Sequence, residues 1–223
     1  MSANFHQVGL EIVGDFISPA DIEFLGSEIE KSLGSSSIHG VRNLNTKVCA
    51  IGELANSSCL LKLAADYLGN KPQLVRTIYF NKTQSANWGV AWHQDKTIAV
   101  NTRTELLGYG PWSIKDNVWH VQPPIDVLEQ MVTFRIHLDA ANESNGCLKV
   151  IPGSHLSGII ADSDIRDMIE KSEMKSCIVN AGDALVMRPL LLHSSNKATV
   201  PHSRRVIHLE YSSFTLPNEL KWS

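Results

Sequence analysis

The stretch MVTFRIHL, residues 131–138, decides the fold class. Apolar side chains occupy every second position, at Val132, Phe134, Ile136 and Leu138, and polar side chains lie between them, at Thr133, Arg135 and His137. Because side chains two residues apart in a β-strand point to the same face, this alternation predicts a strand with one face against an apolar core. The polar face is left for solvent or for the interior of a barrel.

Other short β-rich runs lie on both sides of this strand and are separated by turn residues. The runs cover residues 74–80, 147–151, 184–187 and 206–211, with turn signals at Asn145-Gly146, Pro152-Gly153-Ser154 and Ala181-Gly182-Asp183. Many short strands in succession are typical of a sandwich or a jelly roll. We therefore expect a mainly β protein with flanking helices, whose jelly-roll core spans about residues 73–214.

The N-terminal part, about residues 1–72, has helical periodicity instead. Ser18-Pro19 supplies an N-cap and a first-turn proline, and apolar residues then recur at helical spacing until Gly34. A second helix is predicted from about Ser57 to Leu68, with Gly69 immediately after its end. Both helices are expected to pack on the sheet as scaffold.

The composition argues against several classes of partner. The formal net charge is -3, the pI is about 6.3 and no Lys/Arg-rich run occurs, so nothing indicates binding to nucleic acid or to an anionic membrane. No apolar stretch reaches the roughly 20 residues of a membrane span, and Met1–His6 lacks the features of a signal peptide. Since no repeat or long linker divides residues 1–223, we expect a single cytoplasmic domain whose partners are small molecules.

Candidate metal ligands stand in the segment Trp92-His93-Gln94-Asp95. A strand would place His93 and Asp95 on one face, and His193 follows 98 residues after Asp95, at the end of the apolar run Leu190–Leu192. Two imidazoles and one carboxylate form the ligand set that holds iron(II) and leaves three positions open on one face. A hydrogen-bonded His–Asp pair and a separate core histidine would also account for these residues.

An arginine follows the third candidate ligand, His193, at a spacing that suits a binding site for a cosubstrate carboxylate. Arg204 lies 11 residues beyond His193, at the start of the last predicted strand, which we expect to run beside the strand that ends in His193. A 2-oxoglutarate molecule bound to iron keeps a free carboxylate at its far end, and a guanidinium binds such a group through two parallel hydrogen bonds. A solvated surface pair of arginines, Arg204-Arg205, is the alternative.

Three ordered motifs resemble one known family. The segments WHQD (92–95), NGCLKVIPGSH (145–155) and His193 followed by Arg204 look like the phytanoyl-CoA dioxygenase family of iron(II)/2-oxoglutarate oxygenases. The resemblance runs from about Gln73 to Tyr211. It implies a double-stranded β-helix, which is a cupin-like form of the jelly roll.

This resemblance also implies an activity and a set of site residues. The implied reaction is hydroxylation, or a derived desaturation or ring closure, coupled to decarboxylation of 2-oxoglutarate to succinate and CO2 with O2. It matches His93, Asp95 and His193 to the iron ligands. Arg204 matches the residue that binds the far carboxylate, with Arg205 as the substitute if the register differs by one. Because related halogenases lack the carboxylate ligand, Asp95 favours oxygen insertion over halogenation.

Further candidate residues carry weaker signals. Thr133 stands where related enzymes often place a small hydroxyl residue near the cosubstrate, although β propensity explains a threonine equally well. The residues from Thr102 to Asp126 form a long excursion that is expected to act as a lid over a substrate pocket or to be pinned to the barrel by its aromatic side chains. The possible substrate contacts are Tyr79, Trp112, Trp119, Gln122 and Arg135.

Two other functions use similar residues. A jelly-roll protein that binds a metal or 2-oxoglutarate without turnover would act as a sensor. A cupin-like metal-dependent hydrolase or isomerase would hold zinc in a similar ligand set. Succinate formation under O2 separates the oxygenase from both.

Overall fold

The computed structural model describes residues 4–34, 40–83, 86–200, 203–217 and 219–223. Within these ranges the helices, in chain order, are α1 (Phe5–Val8), α2 (Pro19–Leu33), α3 (Leu44–Lys47), α4 (Cys49–Ala55), α5 (Ser58–Leu68), α6 (Ile125–Glu129) and α7 (Ile165–Lys171). No helix among the described residues is long and apolar enough to cross a membrane. Residues 1–3 lie outside the described ranges. They belong to the segment Met1–His6, which was expected above not to be a signal peptide.

The strands come from the whole length of the chain. In chain order they are β1 (Leu10–Val13), β2 (Gly40–Arg42), β3 (Gln73–Lys82), β4 (Val90–His93), β5 (Ile98–Val100), β6 (Trp112–Lys115), β7 (Val118–Val121), β8 (Met131–His137), β9 (Leu148–Val150), β10 (Lys175–Ser176), β11 (Ala184–Met187), β12 (His193–Ser195) and β13 (Arg204–Ser212).

These strands form three antiparallel sheets, and the fold is the expected jelly roll with flanking helices. The major sheet has the order β1-β11-β8-β13-β3-β2, and the minor sheet has the order β10-β9-β12-β4. A third sheet, β5-β7-β6, packs with the C-terminal segment through Ile98, Val121, Phe214 and Leu220. Side chains of the major and minor sheets line a common cavity, which places the interior of the roll between them.

The two faces of the major sheet differ as the alternation in β8 predicts. Val132, Phe134 and Ile136 point into a core that contains residues of α2, α4 and α5, including Leu25 and Leu60. The intervening residues point into the interior of the roll. Burial of all seven residues of β8 shows that its polar face meets protein rather than solvent.

Both N-terminal helices begin and end at the residues that the sequence indicates. At the start of α2, Ser18 Oγ accepts from the Asp21 amide (3.1 Å) while the Asp21 carboxylate accepts from the Ser18 amide (3.0 Å), which forms a capping box. The helix ends at Gly34. Helix α5 follows Ser57 as its N-cap and ends at Gly69, whose φ of 68° is the left-handed conformation that glycine adopts without strain.

The N-terminal part is not only helical, however. It contributes β1, which pairs with β11, and β2, which pairs with β3, so it supplies both edges of the major sheet. These strands are only four and three residues long, and such short runs leave little alternation to detect.

The excursion between Thr102 and Asp126 contains a β-hairpin. Strands β6 and β7 pair across a two-residue turn, and both turn residues, Asp116 and Asn117, have positive φ, at 50° and 62°. Two consecutive positive φ values are typical of the type I′ turn, and Asp and Asn tolerate that conformation better than most residues. This hairpin brings Lys115 to the mouth of the cavity between the two larger sheets.

Candidate active site

The three candidate metal ligands meet at one point of the minor sheet. His93 is the last residue of β4, His193 is the first residue of β12, and the two are paired in register across these strands. Their ring centroids are 4.2 Å apart. One ligand atom each of His93, Asp95 and His193 lies within 4.8 Å of the other two, so a single ion can contact all three.

Hydrogen bonds prepare both imidazoles to bind a metal through Nε2. His93 Nδ1 lies 2.9 Å from the Ala91 carbonyl oxygen, and His193 Nδ1 lies 2.7 Å from the Leu191 carbonyl oxygen. A carbonyl only accepts, so each Nδ1 carries the proton and each Nε2 keeps its lone pair. The Nε2 atoms face the Asp95 carboxylate at 3.8 Å and 3.7 Å.

The local backbone differs from the sequence-based expectation at two of these ligands. Asp95 does not lie in a strand with His93, because β4 ends at His93; the Asp95 amide donates instead to the Pro189 carbonyl (2.9 Å). His193 begins its strand rather than ending one. The preceding Leu190–Leu192 is an apolar, buried connection that is not a strand.

Gln94 explains why Asp95 keeps its position outside a strand. Its side-chain amide donates to the carbonyl oxygens of Gly158 (2.8 Å) and Leu190 (2.7 Å), and its Oε1 accepts from the Ile160 amide (2.8 Å). All three partners belong to loops that surround the site. The residue between the two ligands therefore ties the segment to its surroundings.

The electrostatic environment suits a charged carboxylate and neutral imidazoles. Burial alone raises the pKa of the Asp95 carboxyl, but His193, His208, Arg76 and His93 together hold it well below its usual range. Burial lowers the pKa of His193 to about 4, although Asp95 opposes that change. A carboxylate and a neutral imidazole are the forms in which these side chains bind metals.

Arg204 lies on the opposite wall of the same cavity. It begins β13, which runs between β8 and β3 in the major sheet, so the expectation that this strand would lie beside that of His193 is wrong. Arg204 is 3 % exposed, and its Nε and Nη1 have no hydrogen-bond partner among the described residues. Burial, and then the nearby Arg135, lower the pKa of Arg204 to about 10, which leaves it a cation.

Arg205 points to the other side of the sheet. Its Nε and Nη2 donate to the two oxygens of Asp139 at 2.9 Å and 2.8 Å, and its amide donates to the same carboxylate. Adjacent residues of a strand face opposite ways, so only Arg204 faces the cavity.

Lys82 is a further cation in the cavity. It is 1 % exposed, stands opposite Arg204 in the β3–β13 register, and donates to Ser195 Oγ (3.1 Å) and the Asn196 carbonyl (2.7 Å). Burial and the charges of Arg204 and Arg135 lower its pKa to about 8. The period-two series from Arg76 to Lys82 places these residues on one face of β3, and the structure shows that this face meets the interior.

A chain of buried polar side chains in the major sheet lies beside Asp95. Arg135 Nη1 lies 3.0 Å from His208 Nδ1, and His208 Nε2 lies 2.7 Å from Glu210 Oε1, which also accepts from Arg76 Nη2 at 2.6 Å. Since Arg135 only donates, His208 accepts at Nδ1 and donates from Nε2 to Glu210. Burial raises the pKa of Glu210, but Arg76 and His208 outweigh it, and the net pKa is lowered.

The cavity has a volume of about 410 Å³ and opens beside the β6–β7 hairpin. Of the substrate contacts proposed from the sequence, Gln122 and Arg135 line it. Tyr79 lies in the helix-facing core on the other side of β3. Trp112 and Trp119 pack edge to face, with ring centroids 6.3 Å apart, in the core under the third sheet.

Thr133 faces the interior but does not approach Arg204. It pairs with Glu210, six residues along β13 from Arg204, which corresponds to about 20 Å between the two backbone positions. Its hydroxyl is buried without a hydrogen-bond partner. The structure therefore does not bring Thr133 to the guanidinium of Arg204.

The residues present fit an iron(II) ion and a dicarboxylate cosubstrate. The nitrogen and oxygen donors of His93, Asp95 and His193 match the two-histidine, one-carboxylate set. Buried N–H groups without partners are costly, and Arg204, which lines the cavity, has such groups on Nε and Nη1 among the described residues. A carboxylate bound to this guanidinium would offset part of that cost.

Comparison with protein families and characterised sequences gives a consistent result. The family model described as Phytanoyl-CoA dioxygenase (PhyH) matches residues 5–206. The L-proline trans-4-hydroxylase of Streptomyces griseoviridis is 26% identical over 217 residues, covering 84% of this chain and 72% of that protein.

Solved structures share the fold at low sequence identity. EctD from S. alaskensis in its apoform superposes with a TM-score of 0.74 at 17% identity, covering 96% of this chain and 77% of EctD. EctD has also been solved with bound Fe, and with 2-oxoglutarate and 5-hydroxyectoine. AviO1 from Streptomyces viridochromogenes Tue57 gives a TM-score of 0.68 at 21% identity, covering 96% of this chain and 94% of AviO1.

Proposed function

This chain belongs to the phytanoyl-CoA dioxygenase family and is an iron(II)- and 2-oxoglutarate-dependent oxygenase; from that premise we propose that it hydroxylates a small organic molecule. In this proposal His93, Asp95 and His193 hold the iron, and Arg204 binds the far carboxylate of 2-oxoglutarate. Succinate and CO2 are the coproducts.

One observation carries the proposal. Three metal-binding side chains and a buried guanidinium with two unpaired N–H groups face one cavity from opposite sheets. If Arg204 only stabilised the fold, its N–H groups would be expected to have hydrogen-bond partners, because an unpaired buried donor costs roughly 1–3 kcal/mol. A site for a carboxylate explains why they are left free.

The chemistry belongs to the cofactor, and the chain supplies position. Iron(II) with 2-oxoglutarate and O2 yields an oxidant that inserts oxygen into a C–H bond. The Ala91 and Leu191 carbonyls orient the imidazoles, and Gln94 fixes the segment that carries Asp95. Because Asp95 occupies the carboxylate position, oxygen insertion is favoured over halogenation.

The cavity limits the size of the substrate. Ligand pockets are commonly about 300–1,000 Å³, and this cavity of about 410 Å³ must hold the cosubstrate as well. A free small molecule fits better than a long chain. The relationship to L-proline trans-4-hydroxylase makes cyclic amino acids the first candidates. We propose that the reaction takes place in the cytoplasm and involves no nucleic acid.

The proposal is tested by anaerobic titration of the purified protein with iron(II) and 2-oxoglutarate. A weak visible charge-transfer band is expected, and O2 should then give succinate, with a gain of one oxygen atom in any coupled cyclic amino acid. His193→Ala should abolish the band. His155→Ala is the matched control, since His155 bonds the His6 carbonyl away from the cavity.

Absence of both the band and succinate in the unmodified protein would refute the oxygenase function. Binding of 2-oxoglutarate with its recovery unchanged under O2 would indicate a sensor instead.

A further inference from the structure

We propose that the substrate carries an anionic group, a carboxylate or a phosphate, which Lys115 and Arg42 bind at the mouth of the cavity. This inference rests on the oxygenase function proposed above and specifies the class of its substrate. It concerns the end of the cavity opposite Arg204.

Positive charge is in large excess around the cavity. Two carboxylates face it, those of Asp95 and Glu210. Seven cationic side chains line it, namely Arg42, Arg76, Lys82, Lys96, Lys115, Arg135 and Arg204. An iron(II) ion and a doubly charged 2-oxoglutarate cancel each other, so their binding leaves this excess unchanged. Asp116 and Asp162 neutralise Arg42 and Lys96 from outside the cavity lining, and the positive charge that remains favours binding of a further anion.

The cations lie in two groups along the interior face. Arg204 pairs with Lys82 at one end of the β13–β3 ladder, and Glu210 pairs with Arg76 six residues farther along. Six residues of strand correspond to about 20 Å. A cosubstrate bound at Arg204 would end at the ion held by Asp95, a ligand atom of which lies within 4.8 Å of one of Glu210. Both of its carboxylates would then be engaged, so neither is left for Arg42 or Lys115.

The second group converges from two elements. Arg42 pairs with Ile78 across β2 and β3, two residues from Arg76, so both guanidinium groups are on the interior side. From the other side the tip of the β6–β7 hairpin carries Lys115. Arg42 Nη1 donates to the adjacent hairpin residue, Asp116, at 2.8 Å, which holds the hairpin tip against β2.

Lys115 is the cation of this group without a counter-ion. Glu210 neutralises Arg76 and Asp116 neutralises Arg42, whereas Lys115 makes no ion pair or hydrogen bond with the described residues. Burial and the positive charges of Arg76 and Arg42 lower its pKa. These charges repel one another, and an anion placed between them would replace the repulsion with attraction.

His120 provides a second polar group at the same place. It is 1 % exposed, lines the cavity, and uses Nδ1 for the Val118 carbonyl (3.1 Å), which leaves Nε2 without a partner among the described residues. Burial lowers the pKa of His120, and Arg76, Lys115 and Arg42 lower it further. Arg76 and Arg42 therefore act on both Lys115 and His120.

The test is isothermal titration calorimetry under anaerobic conditions, with iron(II) and saturating 2-oxoglutarate. The probes are benzoate against benzamide, hexanoate against hexanamide, and inorganic phosphate. Each acid is expected to bind at least about tenfold more tightly than its amide, as for a hydrogen bond to a charged group. Tighter binding of phosphate would assign a phosphorylated substrate, and tighter binding of the acids a carboxylic acid.

Two variants and a matched control locate the binding. Lys115→Gln and Arg42→Gln should each remove most of the preference for acids over amides. Lys71→Gln, which removes the same charge from an exposed residue outside the cavity, should keep it. Equal binding of acids and amides, or a preference that survives both cavity variants, would overturn the inference.

The outcome is separable from the oxygenase function. A charge-transfer band without any preference for acids would reject the anionic substrate alone. A Lys115-dependent preference without the band would establish the anion site and reject the oxygenase.

Discussion

On the helix-facing side of the major sheet, Phe134 packs edge to face against Tyr67 and Tyr211, with ring centroids 5.8 Å and 5.7 Å apart. On the interior side, the next residue, Arg135, donates to His208 and lies 5.4 Å from the ring of Phe80. One strand thus contributes alternately to an apolar core and to a buried polar network.

The difference between these faces shows where stability and chemistry reside. The helix-facing residues are close-packed and apolar, so their burial stabilises the fold. The interior retains unpaired polar atoms of Arg76, Thr133, Arg135, His137 and Arg204. Such groups cost stability, and their concentration on one face is typical of a binding site.

Removal of a large side chain from the helix-facing core should have the largest effect. Phe134→Ala is expected to lower the free energy of unfolding by about 3–5 kcal/mol, because it leaves a cavity between aromatic rings. Urea denaturation of the metal-free protein measures this. Thr133→Val is the control on the opposite face and should be neutral or stabilising, since the Thr133 hydroxyl has no partner. Equal losses in both variants would contradict the assignment of the faces.

Adjacent arginines on the two faces should separate cosubstrate binding from stability. Arg204→Gln is expected to raise the KM for 2-oxoglutarate by about ten- to a hundredfold, because charge-assisted hydrogen bonds contribute roughly 1.5–3 kcal/mol. Arg205→Gln breaks the pairs with Asp139 and Glu30 on the other face and should leave this KM unchanged. Steady-state succinate assays measure both. A larger KM change at Arg205 would reverse the assignment.

The interior face should also make the fold sensitive to acid. Burial, with the charges of Arg135 and Arg204, lowers the pKa of His137 to about 3, so the folded protein keeps this imidazole neutral. An unfolded chain has a histidine pKa near 6.5, so between about pH 6.5 and 3 only the unfolded state binds the proton and stability falls.

By pH 5 this histidine alone should cost about 2 kcal/mol. In His137→Leu the decrease in unfolding free energy from pH 7.5 to pH 5 should be smaller by that amount. Urea denaturation at the two pH values provides the measurement, and an unchanged decrease would show that His137 is protonated in the folded state.

The neighbouring aromatic residues of β3 should give the smallest effects. Phe80 lines the cavity and contacts the His208 ring edge to face at 5.6 Å, so Phe80→Leu is expected to lower kcat/KM about threefold to tenfold. Tyr79→Phe alters the helix-facing core and should leave kcat/KM unchanged. Parallel assays compare the two, and a greater loss in Tyr79→Phe would place Tyr79 at the site.

Sequence patterns predicted the longer elements well. Helix α2 followed from its Ser-Pro start and its glycine end, and β8 followed from its alternation, because these signals are local. Strands β1, β2 and β12 are too short to show a period, and they form through pairing with distant strands. Pairing of that kind is decided by the whole sheet.

The candidate metal ligands could be identified from residue type and order in the sequence. The buried polar residues around them could not. Nothing local to Lys82, His208 or Glu210 indicates that they are buried, since each stands in a strand whose polar face could equally meet solvent. Likewise, the sequence predicted only a long excursion between Thr102 and Asp126, and not the hairpin turn at Asp116 and Asn117.

By itself the sequence determined the fold class, because strand periodicity can be read from residue types in order. It also predicted the His93, Asp95 and His193 ligand set and the cation Arg204, from the chemistry of donor atoms and the family resemblance. Only the tertiary structure decided which face of each strand meets the interior, and that the β6–β7 hairpin brings Lys115 opposite Arg42. The physical reason is that burial and charge depend on contacts between segments far apart in the chain. Those contacts exist only when the two sheets close around the cavity.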